Sequence, residues 1–180
     1  MTNLTSVKQT VTIAVSAAIY VILSCFASIP IGHNVVLETS SPFLVFVAVL
    51  FGPIVGFYVG LLGHTIKDFL IFGNVCFNWV ICSGILGFLY GLPQKTIDLK
   101  HQPFNLKKII SFWLYQVFAN CLVFGLIAPI SDLWIYAQPC ALVFFQGFLV
   151  VISNIVSYSL FGISLMLKYS NNYVKKEVLS

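Results

Sequence analysis

Residues 10–29, 109–128 and 141–167 contain no charged side chain. Each run is long enough for a helix that crosses the hydrocarbon of a bilayer, which takes about 20 residues. Composition carries the same message over the whole chain. Of its 180 residues, 59% are hydrophobic and only 8% are charged, with a mean hydropathy of +1.00. A soluble domain carries about 25% charged residues. At 8%, a water-facing surface cannot be covered, so the chain reads as an integral membrane protein of the all-α class. Its length allows one compact bundle, residues 1–180, with no separate soluble domain. A nucleotide-binding loop, a metal-ligand cluster and a long extramembrane segment are all absent from the sequence. The five cysteines (Cys25, Cys76, Cys82, Cys121, Cys140) show no CxxC pairing and lie mostly in apolar runs, as small hydrophobes do. The first apolar run is too long for a cleaved signal peptide, and residues 24–27 make a poor cleavage site.

Punctuation divides the chain into six expected spans, at residues 10–29, 42–51, 53–70, 76–93, 109–128 and 141–167. Pro30 ends the first. Residues 42–70 could be one kinked helix or two helices separated by Gly52-Pro53; the run is too long for one span and Gly-Pro breaks helices, which favours two. Residues 31–41, with two valines and a leucine among polar groups, are expected to fold back over the bundle. Residues 94–108 are the most polar segment, and Asn105 is placed to cap the next helix. Residues 129–139 are expected to form a loop, and residues 168–180 a frayed tail. With six spans, Lys8, Lys95, Lys100, Lys107, Lys108, Lys168, Lys175 and Lys176 fall on one side and Lys67 on the other. Lysine excess marks the cytoplasm, so both termini are expected there. The net charge of +4 then reads as anchoring, not as nucleic-acid binding.

The stretch most informative about function is residues 50–68. Gly52, Gly56, Gly60, His64 and Asp68 recur every fourth position, so they share one slowly drifting helix face. Its glycine end suits close helix packing. Its polar end suggests a site or a water boundary. Sorted by side, His33, Asn34, Glu38, His64, Lys67, Asp68, Asn74, Asn78, Asn120, Asp132, Gln138 and Gln146 fall in the outer half. A channel or proton relay needs polar groups through the full depth. Their confinement to one half suggests a cup, and Phe72, Phe77, Trp79, Trp134 and Tyr136 supply faces on which a planar ligand could stack. Structural alternatives stand beside these roles. His64, Lys67 and Asp68 could simply pair with one another. Asn78, Gln116, Asn120 and Gln146 could be interhelical glue. Trp79, Trp134 and Tyr136 could be interface anchors. No catalytic constellation stands out: HExxH is absent, and the one Ser–His combination that depth would allow, Ser83 with His64, lacks a nucleophile motif.

The small residues Ala14 and Ala18 on the first span, and the segment AVLFGPIVGFYVGLLGHTIKDFL from residue 48 to 70, are similar to those of the substrate-binding S components of energy-coupling factor (ECF) vitamin transporters. The riboflavin-type superfamily is the group the chain resembles. The resemblance implies a bundle of six transmembrane helices in a bacterial plasma membrane and a non-enzymatic subunit without cofactor or metal. It implies a vitamin or precursor captured in an outward pocket. It also implies docking, through Ala14 and Ala18, on a transmembrane coupling protein joined to two cytoplasmic ATPases, and release by toppling in the membrane. Position within the family pattern assigns ligand contacts to Asn34, Glu38, Asn78, Trp79, Asn120 and Gln146; the residue reading adds His64, Lys67 and Asp68. A hydroxymethylpyrimidine or pyridoxine-type heterocycle is the expected ligand. A stand-alone small-solute transporter or channel, and an intramembrane enzyme, are the alternatives.

Overall fold

The computed structural model describes residues 2–32 and 35–178, with the backbone alone at 2–5, 29–32, 35–36 and 174–178. Helix α1 (Thr2–Phe26) leads through a short antiparallel ribbon, β1 (Ile29–Gly32) and β2 (Val35–Leu37), into α2 (Ser40–Phe51). Helices α3 (Pro53–Phe72) and α4 (Phe77–Gly91) follow, then a single turn α5 (Gln94–Ile97). Helix α6 (Leu106–Leu122) passes through a π-helical turn, Val123–Ile127, into α7 (Ala128–Tyr136). Helix α8 (Cys140–Ser157) passes through a second π turn, Tyr158–Gly162, into α9 (Ile163–Val178). Ser6–Phe26, Pro53–Phe72, Leu106–Tyr136 and Cys140–Tyr173 are each long and apolar enough to cross a membrane; α2 is a shorter apolar helix.

The break between α2 and α3 has a local cause. Gly52 has φ +97°, which an L side chain rarely adopts, and Pro53 takes the first turn of α3, where no N–H is missed. Gln94 Nε2 donates to Leu50 O at 2.9 Å and ties the α5 turn beneath this break. Two helices joined by a tight turn therefore replace one kinked helix. At the other end of α3, Gly73 at φ 68° provides a left-handed cap.

Glycine spacing sets the contact between α3 and α4. A methyl group placed on Gly56 would overlap the carbonyl of Gly87, and one on Gly87 would overlap the carbonyl of Gly56. Gly60 meets the backbone of Ser83 in the same way, and Gly91 meets Pro53. The two backbones touch along this seam, as small-residue ridges allow.

Two expected connections turn out differently. Residues 129–139 are helical as far as Tyr136. Pro129 sits in the first turn of α7, where its missing N–H is tolerated, and Asp132 is drawn against α4 by hydrogen bonds. Only residues 137–139 remain as a link, with Ala137 in the left-handed region at φ 48°. The tail is not frayed at Ser170, which is buried: its hydroxyl donates to Gln102 O at 2.9 Å and accepts from Phe104 N at 3.0 Å. The segment after α1 forms a ribbon, whose end is pinned where Leu37 is buried and Ser157 Oγ donates to Glu38 O at 2.5 Å. As expected, Asn105 caps α6, its side chain accepting from Lys108 N at 3.1 Å. In the polar segment between α4 and α6, Asp98 accepts from His101 at 2.8 Å, which holds its carboxyl below the usual range.

Polarity is inverted relative to a soluble domain. Phe26, Phe72, Leu106, Phe118, Phe145 and Trp134 are exposed, while His64, Lys67, Asp68, Asn78, Gln116, Asn120, Asp132 and Asn154 are buried. The apolar outer surface fits hydrocarbon and would not fit water.

The glycine seam is directly testable. Gly56→Leu should drive a side chain into the α4 backbone and cost about 1–3 kcal/mol or more, visible as a lower unfolding temperature in detergent. At Gly125 an added methyl meets only Val151 and Cys121, at 3.8 and 4.0 Å. Gly125→Ala should therefore leave the unfolding temperature unchanged, and an equal drop for both substitutions would contradict the seam.

Candidate functional site

A cavity of about 360 Å³ opens where α3 and α4 separate beyond the glycine seam. Small-molecule pockets begin at about this size. One wall is ionic. Lys67 Nζ lies 3.1 Å from Glu38 Oε1 and 3.6 Å from Asp68 Oδ1. Ser40 Oγ donates to the other oxygen of Glu38 at 3.0 Å. His64 Nε2 is 3.2 Å from Asp68 Oδ1, and His64 Nδ1 is 2.5 Å from Ser83 Oγ on α4. Cys76 N donates to Asp68 Oδ2 at 3.3 Å, closing the α3–α4 connection onto this cluster. Helical geometry explains the grouping: positions 64, 67 and 68 lie on one face of α3, and Glu38 arrives from the connection before α2. Burial alone would raise the Glu38 carboxyl, but the Lys67 ammonium together with His64 and the Ser40 hydroxyl holds it below its usual value.

The facing wall is aromatic. Trp79 on α4 and Phe124 in the first π turn stack with centroids 5.5 Å apart and planes at 27°. Phe72 also borders the cavity, and Ser153 and Asn154 complete it from α8. One ionic wall, one aromatic wall and a few amides and hydroxyls suit a small polar ring held by stacking and directed hydrogen bonds.

The residues singled out from sequence divide three ways. Glu38, His64, Lys67, Asp68 and Trp79 converge on the cavity. For the ionic trio, both readings left open by the sequence meet here: the side chains pair with one another and also line the cavity. Asn78 and Asn120 are buried behind it. Asn78 Nδ2 donates to Asp132 Oδ1 at 2.6 Å and to Ser131 Oγ at 2.9 Å, while Trp79 Nε1 donates to Asp132 Oδ2 at 2.8 Å; together they bind α4 to α7. Asn120 Nδ2 donates to the hydroxyl of Tyr90 at 2.6 Å and to Gln116 Oε1 at 3.0 Å, and its carbonyl accepts from Asn154 at 2.9 Å. These amides hold helices together and orient Asn154. Gln146 is exposed on α8, away from the cavity. Asn34 lies outside the described residues, as does His33. Ala14 and Ala18 are exposed on α1, and Ser16, Ala17 and Tyr20 form its buried face.

Sequence reasoning missed Tyr20, Phe124, Ser153 and Asn154 as cavity residues. On α8 the amides Gln146 and Asn154 both lie on the arc that also carries Ser153 and Ser157, so spacing alone does not decide which of the two points inward. Phe124 is aimed by the π turn, which has no sequence signature of its own.

The family model for the ECF-type riboflavin transporter S component matches residues 4–171. The chain belongs to this family. A UPF0397 protein of Phytoplasma australiense is 76% identical over 98% of this chain and 91% of its own length. A UPF0397 protein of Onion yellows phytoplasma is 62% identical over 97% and 94%, and one of Enterococcus faecalis is 44% identical over 97% and 96%. No solved structure matches. Membership makes the chain a membrane-embedded transporter subunit, in keeping with the four spanning-length helices among the described residues.

The ionic wall generates a prediction of its own. Lys67→Met leaves the buried Asp68 and the half-buried Glu38 carboxylates without this cation. Breaking one side of a buried pair costs about 3–5 kcal/mol. The unfolding temperature should drop clearly, and Glu38→Gln added to Lys67→Met should restore part of the loss. A Lys67→Met protein as stable as the unaltered one would show that the cluster is water-screened and contributes little.

Proposed function

We propose that the protein is the substrate-binding subunit of an ATP-driven ECF importer and captures a small heterocyclic vitamin or precursor in the cavity between α3, α4 and α8. The observation that carries this reading is the cavity itself: ionic on one wall, aromatic on the other, inside a bundle whose outer surface is apolar. Glu38, His64, Lys67, Asp68 and Trp79 are its contact residues, joined by Asn154 in place of Gln146. Asn78 and Asn120 act as supports. A single-ring ligand of the hydroxymethylpyrimidine or pyridoxine type suits one stacking surface and several hydrogen-bonding groups. Riboflavin, the vitamin in the name of the matching family, is the competing ligand.

The cavity mouth faces outward and both termini face the cytoplasm in this reading, from the excess of lysine on the side away from Lys67. The protein hydrolyses no ATP; a transmembrane coupling protein and two ATPases supply the energy, and toppling within the membrane delivers the ligand. Exposure of Ala14 and Ala18 on one flank of α1, with Val7, Val11, Val15 and Ile22 also exposed, supports α1 as the face that docks on the coupling protein. Small residues there let a partner helix approach closely.

Two measurements test the reading. Mass spectrometry of protein purified from cells fed candidate compounds should find a single-ring heterocycle bound stoichiometrically; riboflavin in its place would correct the ligand and keep the family role. Ala14→Trp and Ala18→Trp should abolish ATP-dependent uptake by the reconstituted complex and leave ligand affinity within about twofold. Full-rate uptake by the subunit alone in liposomes would overturn the importer reading.

A further inference from the structure

Serine and threonine hydroxyls inside these helices mostly return to their own backbone. Thr65 donates to Leu61 O at 2.7 Å, Ser159 to Ile155 O at 2.7 Å, and Ser164 to Leu160 O at 3.1 Å. This is the ordinary resting place of a helical hydroxyl. Ser83 departs from it. It sits within α4, is buried, lines the cavity, and is paired across the helix contact with His64 Nδ1 at 2.5 Å. Gly60, packed against the backbone of Ser83, brings α3 and α4 close enough for the pairing.

The direction of that hydrogen bond follows from the chain it belongs to. Asp68 Oδ1 lies 3.2 Å from His64 Nε2. An ionised carboxylate only accepts, so Nε2 carries the imidazole proton. With the ring neutral, Nδ1 is the acceptor and Ser83 Oγ–H donates to it; a second ring proton would reverse this bond. Asp68 is itself fixed, by Cys76 N on its other oxygen and by Lys67 Nζ at 3.6 Å. In that neutral arrangement every proton in the sequence Asp68–His64–Ser83 has a place, and the Ser83 oxygen turns only its lone pairs to the cavity.

We propose that Ser83 is a specificity-determining residue of the binding site, acting as a hydrogen-bond acceptor that selects ligands with an amino or hydroxyl donor on the ring. The inference rests on the binding-subunit reading above. His64 and Asp68 are positioning residues: they set the polarity of Ser83. A ligand presenting an acceptor at this point meets lone pairs with lone pairs, and a ligand presenting a methyl group leaves Ser83 without a partner. Sites built to hydrogen-bond a donor discriminate strongly against analogues that lack it.

The experiment uses full-length protein in nanodiscs and three probes: 4-amino-5-hydroxymethyl-2-methylpyrimidine, the analogue with methyl in place of the amino group, and the analogue with methoxymethyl in place of hydroxymethyl. One of the two analogues should bind at least tenfold more weakly than the parent compound. In Ser83→Ala that difference should fall to about twofold or less, with the folded state checked by unfolding temperature. A preference of unchanged size in Ser83→Ala, or no preference in the unaltered protein, overturns the proposal. The second measurement needs no ligand. Imidazole ¹⁵N chemical shifts, assigned with His64→Gln, should show His64 Nδ1 unprotonated and hydrogen-bonded, and its shift should move in Ser83→Ala. A proton on Nδ1 makes Ser83 the donor to the cavity and overturns the proposal whatever the ligand. If none of the probes binds, the hydroxymethylpyrimidine reading fails, and the nitrogen shifts still decide the polarity of Ser83.

Discussion

Backbone contact between α3 and α4 governs the rest of the molecule. Its register is set by paired small residues: Pro53 against Gly91, Gly56 against Gly87, Gly60 against Ser83. Each step moves about one turn up α3 and down α4. Beyond Gly60 the next residues on the same face are His64 and Asp68, whose side chains need room. There the helices are joined through side chains, His64 to Ser83 and Asp68 to Cys76 N. The cavity lies where contact changes from backbone to side chain. Packing at one end and polarity at the other are two consequences of a single ridge.

Placing charge at the end of an apolar helix is costly unless the charge is satisfied. Satisfaction comes from several elements at once. Glu38 comes from the connection before α2, Lys67 and Asp68 from α3, and Ser83 from α4. The amide chain from Tyr90 through Asn120 to Asn154 performs the same service across α4, α6 and α8. These groups cross between helices because each helix has already spent its own backbone hydrogen bonds internally. Binding energy for a ligand then depends on groups whose partners are fixed before it arrives, which lowers the ordering cost of binding.

What could be read from the sequence follows from how local each cause is. The break at Gly52-Pro53, the cap at Asn105 and the ridge from Gly52 to Asp68 are matters of spacing within one helix, and the structure shows all three. The ionic cluster was legible for the same reason, since His64, Lys67 and Asp68 share a helix face. Choices that depend on how a helix is rotated in the bundle were not legible. Gln146 and Asn154 share one arc of α8 with Ser153 and Ser157, and packing turns Asn154 inward and leaves Gln146 exposed. Asn78, expected among the ligand contacts, does not line the cavity; its Nδ2 donates to Ser131 and Asp132. Those partners lie in the segment expected to be a loop. Pro129 suggested a break there, and a π turn directly before it lets the helix continue. A local signal was read correctly as a perturbation and wrongly as an end.

Helix α1 joins the two ends of the functional argument. Its exposed flank carries Ala14 and Ala18, and its buried flank carries Ala17 and Tyr20. The ring of Tyr20 covers Gly63, one residue before His64, and also borders the cavity. A methyl group at Gly63 would run into that ring, so α1 is seated on α3 at the position where the ionic wall begins. Thr39, next to Glu38, donates to Leu23 O of α1 at 3.4 Å. A partner helix bearing on Ala14 and Ala18 would press on an element that touches both the α3 wall and the segment carrying Glu38. In a packed interior such a push is passed on and not absorbed. The surface proposed for docking and the cavity proposed for ligand therefore share one helix, with Tyr20 in contact with both α3 and the cavity.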